Sequence, residues 1–135
     1  MYLLDTDVIS ALRRPERNPA VAAWTAKVDQ RDLYLSVATV AEIERGVFKQ
    51  RKVDPPFARD LQQWLNVLID GFGQRILQID IAIAQRWGAL SAAIGHNDPD
   101  LAIAATALEH GLSVVTRNVS DFTPTGVAVF DPSSN

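Results

Sequence analysis

Cysteine is absent from the sequence, which rules out a disulfide framework and any thiolate metal site. No apolar run approaches the roughly 18 residues that a membrane span needs. No basic leader precedes Tyr2-Leu3-Leu4, so the expected compartment is the cytoplasm, with no membrane partner. Neither sign of charge dominates. Lys and Arg number 13 against 16 Asp and Glu, and a net charge of −3 offers nucleic acid no bulk attraction. A phosphate-binding surface would need its cations gathered locally. Repeats, linkers and low-complexity stretches are missing too, so nothing marks a second domain.

What is present is ordinary globular material. Apolar residues make up 47% and charged residues 21%, a balance that argues against disorder. The chain is organised around residues 1–10. Tyr2-Leu3-Leu4 is a short apolar run that ends on Asp5-Thr6-Asp7. Parallel α/β sheets place ligands beyond the carboxyl ends of their strands, so Asp5 is expected at the lip of a central strand. Val8 to Leu12 then starts a helix that Thr6 or Asp7 can cap. Taken alone, Asp5 and Asp7 read equally well as turn and cap residues.

Along the chain, Asn18-Pro19 opens a helix that should run to about Gln30. Leu33 to Ser36 reads as a second strand. Ser36, Ala38 or Thr39 begins a helix with a core stripe of Val40, Ile43, Val47 and Phe48, and Glu42 lies beside that stripe. Asp54-Pro55-Pro56 starts another amphipathic helix, which stops at Gly71 to Gly73. Arg75 to Ile79 is a third strand. Asp80 caps a helix that Gly95 ends. Asn97-Asp98-Pro99-Asp100 starts an alanine-rich helix, Leu101 to His110, closed by Gly111. Leu112 to Thr116 is a fourth strand and Gly126 to Phe130 a fifth. Strands separated by helices predict an α/β fold: a three-layer α/β/α single domain, residues 1–131, around a mostly parallel sheet of four to five strands. Residues 132–135 are expected to form a loose tail.

The acids at strand ends and helix starts are Asp5, Glu42, Asp98, Asp100 and Asp121. In a right-handed parallel fold these positions face one edge of the sheet, so three or four carboxylates should converge. Such a cluster repels itself, and a divalent cation is the usual remedy; oxygen-only ligands select Mg²⁺ or Mn²⁺. A site of that kind suits phosphodiester hydrolysis. Each acid also has a plainer reading. Asp98 before Pro99 reads as a helix cap. Asp100 alone is favourable charge at a helix start, and Glu42 alone could pair with Arg45. His96 and His110 stand isolated near helix ends. Trp24, Trp64 and Trp87 fall on apolar stripes and read as core.

Four stretches match a family in order and spacing across nearly the whole chain. They are Leu4-Asp5-Thr6-Asp7-Val8-Ile9, Val40-Ala41-Glu42-Ile43 before Gly46, Asp100 to Ala107, and Thr116-Arg117-Asn118-Val119-Ser120-Asp121-Phe122. Together they resemble the PIN-domain ribonuclease toxins of VapC type. The resemblance implies a PIN-like nuclease domain, an endoribonuclease dependent on Mg²⁺ with Mn²⁺ as a substitute, a small antitoxin protein as partner, and a homodimer. It implies Asp5, Glu42, Asp100 and Asp121 as catalytic and metal-binding residues, supported by Thr116, Asn118, Thr6 and Asp7. Asp7 stands where the family commonly has Asn; it could alter metal affinity or merely cap the helix. The family includes a FitB-like subgroup whose toxin–antitoxin complex binds operator DNA, and the sequence leaves that role open here. RNA substrate would be single-stranded or looped. Candidate phosphate contacts are Arg13, Arg14 and Arg117, with Arg17, Lys49, Arg51 and Lys52 as weaker ones.

Two rivals are weaker. A catalytically silent PIN-like module, acting only through a protein partner and operator DNA, would not need the complete acidic set. A phosphohydrolase forming an aspartyl-phosphate shares Asp5-Thr6-Asp7 and Thr116, but it needs a later lysine, and none follows Lys52.

Overall fold

The computed structural model describes residues 1–133. Its strands are β1 (Tyr2–Leu4), β2 (Leu33–Ser36), β3 (Ile76–Leu77), β4 (Ser113–Val115) and β5 (Val129–Phe130). Helices α1 (Thr6–Ala11) and α2 (Pro19–Lys27) join β1 to β2. Helices α3 (Val37–Gln50) and α4 (Pro55–Phe72) join β2 to β3, and α5 (Ile81–Ile94) and α6 (Pro99–His110) lead to β4. A short helix, α7 (Val119–Phe122), precedes β5.

The sheet has five strands in the order β3-β2-β1-β4-β5, and its pairings are parallel. Leu3 of β1 lies opposite Tyr34 on one side and Val114 on the other. The chain winds outward from β1 through β2 to β3, then returns to β4 on the opposite flank. Winding direction therefore reverses between β1 and β4, which opens a crevice beyond their carboxyl ends.

Side chains alternate across the sheet, and that alternation builds the three expected layers. Leu4, Leu33, Leu35 and Val115 share one face with Val8 and Ile9 of α1, Val21 of α2, Ile43 of α3 and Leu65 of α4. Leu3 and Val114 share the other with Ile103, Ala104 and Ala107 of α6 and Phe122 of α7. Ala102, Ala104, Ala105 and Ala107 are all buried, so small side chains let α6 lie close against its neighbours.

Several boundaries differ from expectation. α2 ends at Lys27, because residues 30–32 tighten into a 3₁₀ turn that the Asp29 carboxylate caps by accepting from the Arg31 N–H at 2.9 Å. β3 keeps only Ile76–Leu77 of the expected Arg75 to Ile79, since it is an edge strand and pairing stops there. β4 and β5 are likewise trimmed to the residues that pair with neighbours. Asn18 stands at the start of α2 but its side chain does not cap it. Its amide instead donates to Ala11 O at 3.1 Å and Arg14 O at 3.0 Å, closing the chain that leaves α1. Pro132 is buried, and Ser133 N–H donates to the Asp131 carboxylate at 2.9 Å. The rest of the expected tail, 134 and 135, lies outside the described residues.

Candidate functional site

Asp5 follows β1 directly. Its backbone N–H donates to Val115 O at 2.9 Å, which continues the β1–β4 ladder by one bond. Its carbonyl accepts from the N–H groups of Val8 and Ile9, so Asp5 is also the residue from which α1 starts. Its side chain does not cap that helix. The carboxylate is therefore left for tertiary partners at the crevice, although the residue is only 3% exposed.

Three successive side chains here reach two other parts of the fold, the end of β4 and helix α3. Asp5 Oδ2 accepts from Thr116 Oγ1 at 2.9 Å, at the end of β4. Thr6 Oγ1 donates to Glu42 Oε1 at 2.6 Å, on α3. Thr6 has a single hydroxyl hydrogen, so the 2.9 Å contact between its Oγ1 and Thr39 Oγ1 has Thr39 as donor. Asp7 pairs with Arg117, whose Nε and Nη2 lie 2.8 and 2.9 Å from the two carboxylate oxygens. Neither Thr6 nor Asp7 caps α1 with its side chain, contrary to expectation; tertiary partners take both. Glu42 accepts from Thr6 instead of pairing with Arg45.

Asp100 lies in the first turn of α6. That helix feeds β4, so its start lies at the edge where the strands finish. Asp121 lies on the short helix α7, with its N–H donating to Asn118 O at 3.0 Å. Asn118 and Asp121 are exposed, and the Asn118 N–H donates to Thr116 Oγ1 at 2.9 Å. Thr116 thus accepts from its own turn while donating to Asp5. Asp98 occupies the position before α6 without a side-chain cap bond. A cleft beside Glu42 is lined by Ala38, Arg45, Trp87, Asn97 and Pro99.

The electrostatics tie these acids together. Burial pushes the Asp5 carboxyl up from 3.8 to about 7; the charges of Asp100 and Asp7 add to this, and the Thr116 hydrogen bond opposes it. Asp100 is raised to about 6, first by burial, then by the charges of Asp121, Glu42 and Asp98. Asp5 thus feels the charge of Asp100, and Asp100 feels those of Asp121 and Glu42. Among the described residues, no three Asp, Glu or His side chains are grouped tightly enough to enclose an ion. The donor chemistry nonetheless fits a hard divalent cation: every group is a carboxylate oxygen, and two are raised by burial and by neighbouring negative charge.

The cations are placed differently. Arg117 is taken up by Asp7. The Arg13 guanidinium lies over the rings of Phe57 and Trp64, 5.1 and 5.6 Å from their centroids, so it packs on α4. Arg51 lies over the exposed Phe48 ring at 4.0 Å. Arg14, Arg17, Lys49 and Lys52 are exposed. Trp24 packs edge-on against Tyr2 at 5.2 Å and beside Phe130, and Trp64 borders the same core. Thr39 is a buried site residue that sequence reading did not single out for this role. Its only signal was a hydroxyl three residues before Glu42, on the same side of α3.

The PIN domain family profile matches residues 2–122. Toxin FitB of Neisseria gonorrhoeae is 37% identical over 98% of both chains. VapC ribonuclease Y4jK of Sinorhizobium fredii is 33% identical over 98% of this chain and 97% of its own. Among solved structures, FitAcB from Neisseria gonorrhoeae superposes with a TM-score of 0.85 at 36% identity, over 98% of each chain. FitAB bound to an IR36 DNA fragment gives 0.76 at 36% identity, covering 100% of this chain and 97% of that one.

Proposed function

The chain belongs to the PIN domain family, and from that premise we propose that it is the toxin of a toxin–antitoxin pair, an endoribonuclease that depends on a divalent metal. The observation that supports this reading is the raised pair Asp5 and Asp100: burial is the main cause at both, with the charge of Asp100 adding at Asp5 and those of Asp121 and Glu42 adding at Asp100. Asp5, Glu42 and Asp100 would hold the ion, and Asp121 would complete the acidic edge through a water. Bound Mg²⁺, or Mn²⁺ in its place, supplies a water of lowered pKa and a positive charge for a phosphoryl oxygen. The protein's own part is orientation. Thr116 fixes Asp5 by donating to Oδ2, and Thr6 fixes Glu42 by donating to Oε1. Single-stranded or looped RNA is the substrate class, because its unpaired nucleotides can be splayed out where a protein reaches them.

Partners follow from the relatives. The FitAB structure contains DNA, which supports an antitoxin partner here and operator DNA contact through that complex. A homodimer is supported by α5, where Ile81 is 79% exposed and Ala82, Ala84, Ala89 and Ala92 are exposed beside it. No helix among the described residues is long and apolar enough to cross a membrane. The test is incubation of the purified chain with total RNA in Mg²⁺ or in EDTA. Cleavage in Mg²⁺ alone is the expected outcome. Intact RNA in both would overturn the reading.

A further inference from the structure

Thr116 and Arg117 are consecutive residues at the end of β4, and they grip Asp5 and Asp7, two residues apart at the start of α1. The Arg117 contact is a fork on a fork: Nε donates to Oδ2 of Asp7 at 2.8 Å and Nη2 to Oδ1 at 2.9 Å. Such a pair fixes orientation as well as distance. Nη1 donates to Asn18 Oδ1 at 2.8 Å. The same Asn18 donates through its amide to Ala11 O and Arg14 O. The linkage therefore joins the end of β4 to the first turn of α1 and to the chain just beyond its last. Both charged side chains are about one-third exposed, at 31% and 35%, so the pair is partly shielded from water.

Three of the five guanidinium hydrogens are committed to these contacts. The turn they hold carries Thr116, which orients Asp5, and Asn118, from which the α7 turn bearing Asp121 begins. A slide of this turn along α1 would move both groups at once.

We propose that Asp7, Arg117 and Asn18 form a positioning clamp: Arg117 serves cleavage by locking the β4–α7 turn onto α1, with Asp7 as its counter-charge, and does not contact RNA. This rests on the nuclease reading above. It assigns Asp7 to the protein's own scaffold and removes Arg117 from the candidate phosphate contacts.

The test uses RNA cleavage kinetics for Arg117→Lys, Arg117→Gln, Asp7→Asn and the double variant Asp7→Asn/Arg117→Gln. Arg31→Gln, which breaks the exposed Arg31–Asp29 pair, is the control. Each clamp variant lowers kcat by roughly 10–100-fold, the range for residues that orient a site from behind, while KM stays within about twofold. Lysine does not rescue, because it keeps the charge but has no fork. The double variant is no worse than the worse single, since the two residues act as one unit. In NMR spectra without RNA or metal, the Arg117 Nε–H is protected from exchange in wild type and exchanges freely in Asp7→Asn. Asp7→Asn keeps the side-chain shape and carries the kinetic test if Arg117→Gln does not fold. A rise in KM at unchanged kcat would make Arg117 a phosphate contact and overturn the proposal. So would wild-type kinetics in all variants, or an Arg117 Nε–H that exchanges freely in wild type. Wild-type protein that cleaves no RNA overturns the nuclease reading, and the NMR arm still decides the clamp.

Discussion

Replacing Asp5 by Asn should stabilise the metal-free protein while removing its activity, and the size of the gain can be worked out. Asp5 is 3% exposed and its carboxyl is raised from 3.8 to about 7, burial being the main cause. At about 1.4 kcal/mol per pH unit, the ionised carboxylate costs the folded state about 4 kcal/mol at pH 8. The sign follows from proton counts. Between the two values the folded state binds more protons than the unfolded one, so this group's contribution to stability falls as pH rises from about 4 to about 7. Asn cannot ionise and keeps an oxygen for the Thr116 hydroxyl, but it adds an amide whose hydrogens need partners. The net gain at pH 8 is therefore about 2–4 kcal/mol, or on the order of 10 °C in Tm for a chain of this length. The gap should widen by about 3 kcal/mol between pH 4.5 and pH 8. Urea melts of both proteins in EDTA at those two pH values measure it. An Asp5→Asn protein no more stable than wild type at pH 8, or a gap that does not widen, refutes the reasoning.

Thr116→Val removes a donor to Asp5 and an acceptor for the Asn118 N–H, both buried or half-buried, and should cost roughly 1–3 kcal/mol. The lost hydrogen bond also held the Asp5 carboxyl down, so the pH-dependent fall in stability extends to higher pH; coincident melt-versus-pH curves for the two proteins would refute this. Asp121→Asn should weaken Mn²⁺ binding by about 10–100-fold, less than Asp5→Asn does, and more than Asn118→Ala. Wild-type Mn²⁺ affinity and cleavage in Asp121→Asn would remove Asp121 from the site. Light scattering at micromolar concentration should give the mass of a dimer, and Ile81→Glu on the exposed face of α5 should shift it to a monomer.

Much of the scaffold was legible because it depends on local chemistry. Asp80 accepts from the Ile83 N–H at 2.9 Å and Ser36 from the Ala38 N–H at 3.0 Å, as residues of those types before apolar helices should. Gly95 and Gly111 end their helices in the left-handed conformation, with φ of 96° and 67°. The unbroken apolar runs of β1 and β4 announced a sheet covered on both faces. What could not be read were contacts between distant residues. Nothing in Thr6 or Glu42 alone says that they meet, and Arg117 and Asp7 lie at opposite ends of the chain. Asn18 was the sharpest departure: a good local cap residue beside a proline, it was claimed by the end of α1 and by Arg117 instead. Asp121 depended on a four-residue helical turn too short to leave a periodic signal. β1 and β2 kept their expected bounds, while β3, β4 and β5 were drawn too long because pairing with a neighbour, not local sequence, sets where a strand ends.

The measurement that bears most directly on the acidic edge is the rate of single-stranded RNA cleavage as Mn²⁺ is titrated, for wild type, Asp5→Asn and Asp100→Asn at equal concentration. Wild type should show a saturable rise from no cleavage in EDTA, and both variants, folded by circular dichroism, should fall by at least about 100-fold at saturating Mn²⁺. Cleavage that persists in EDTA, or folded variants that cut at the wild-type rate, would contradict a carboxylate-held metal as the seat of the activity.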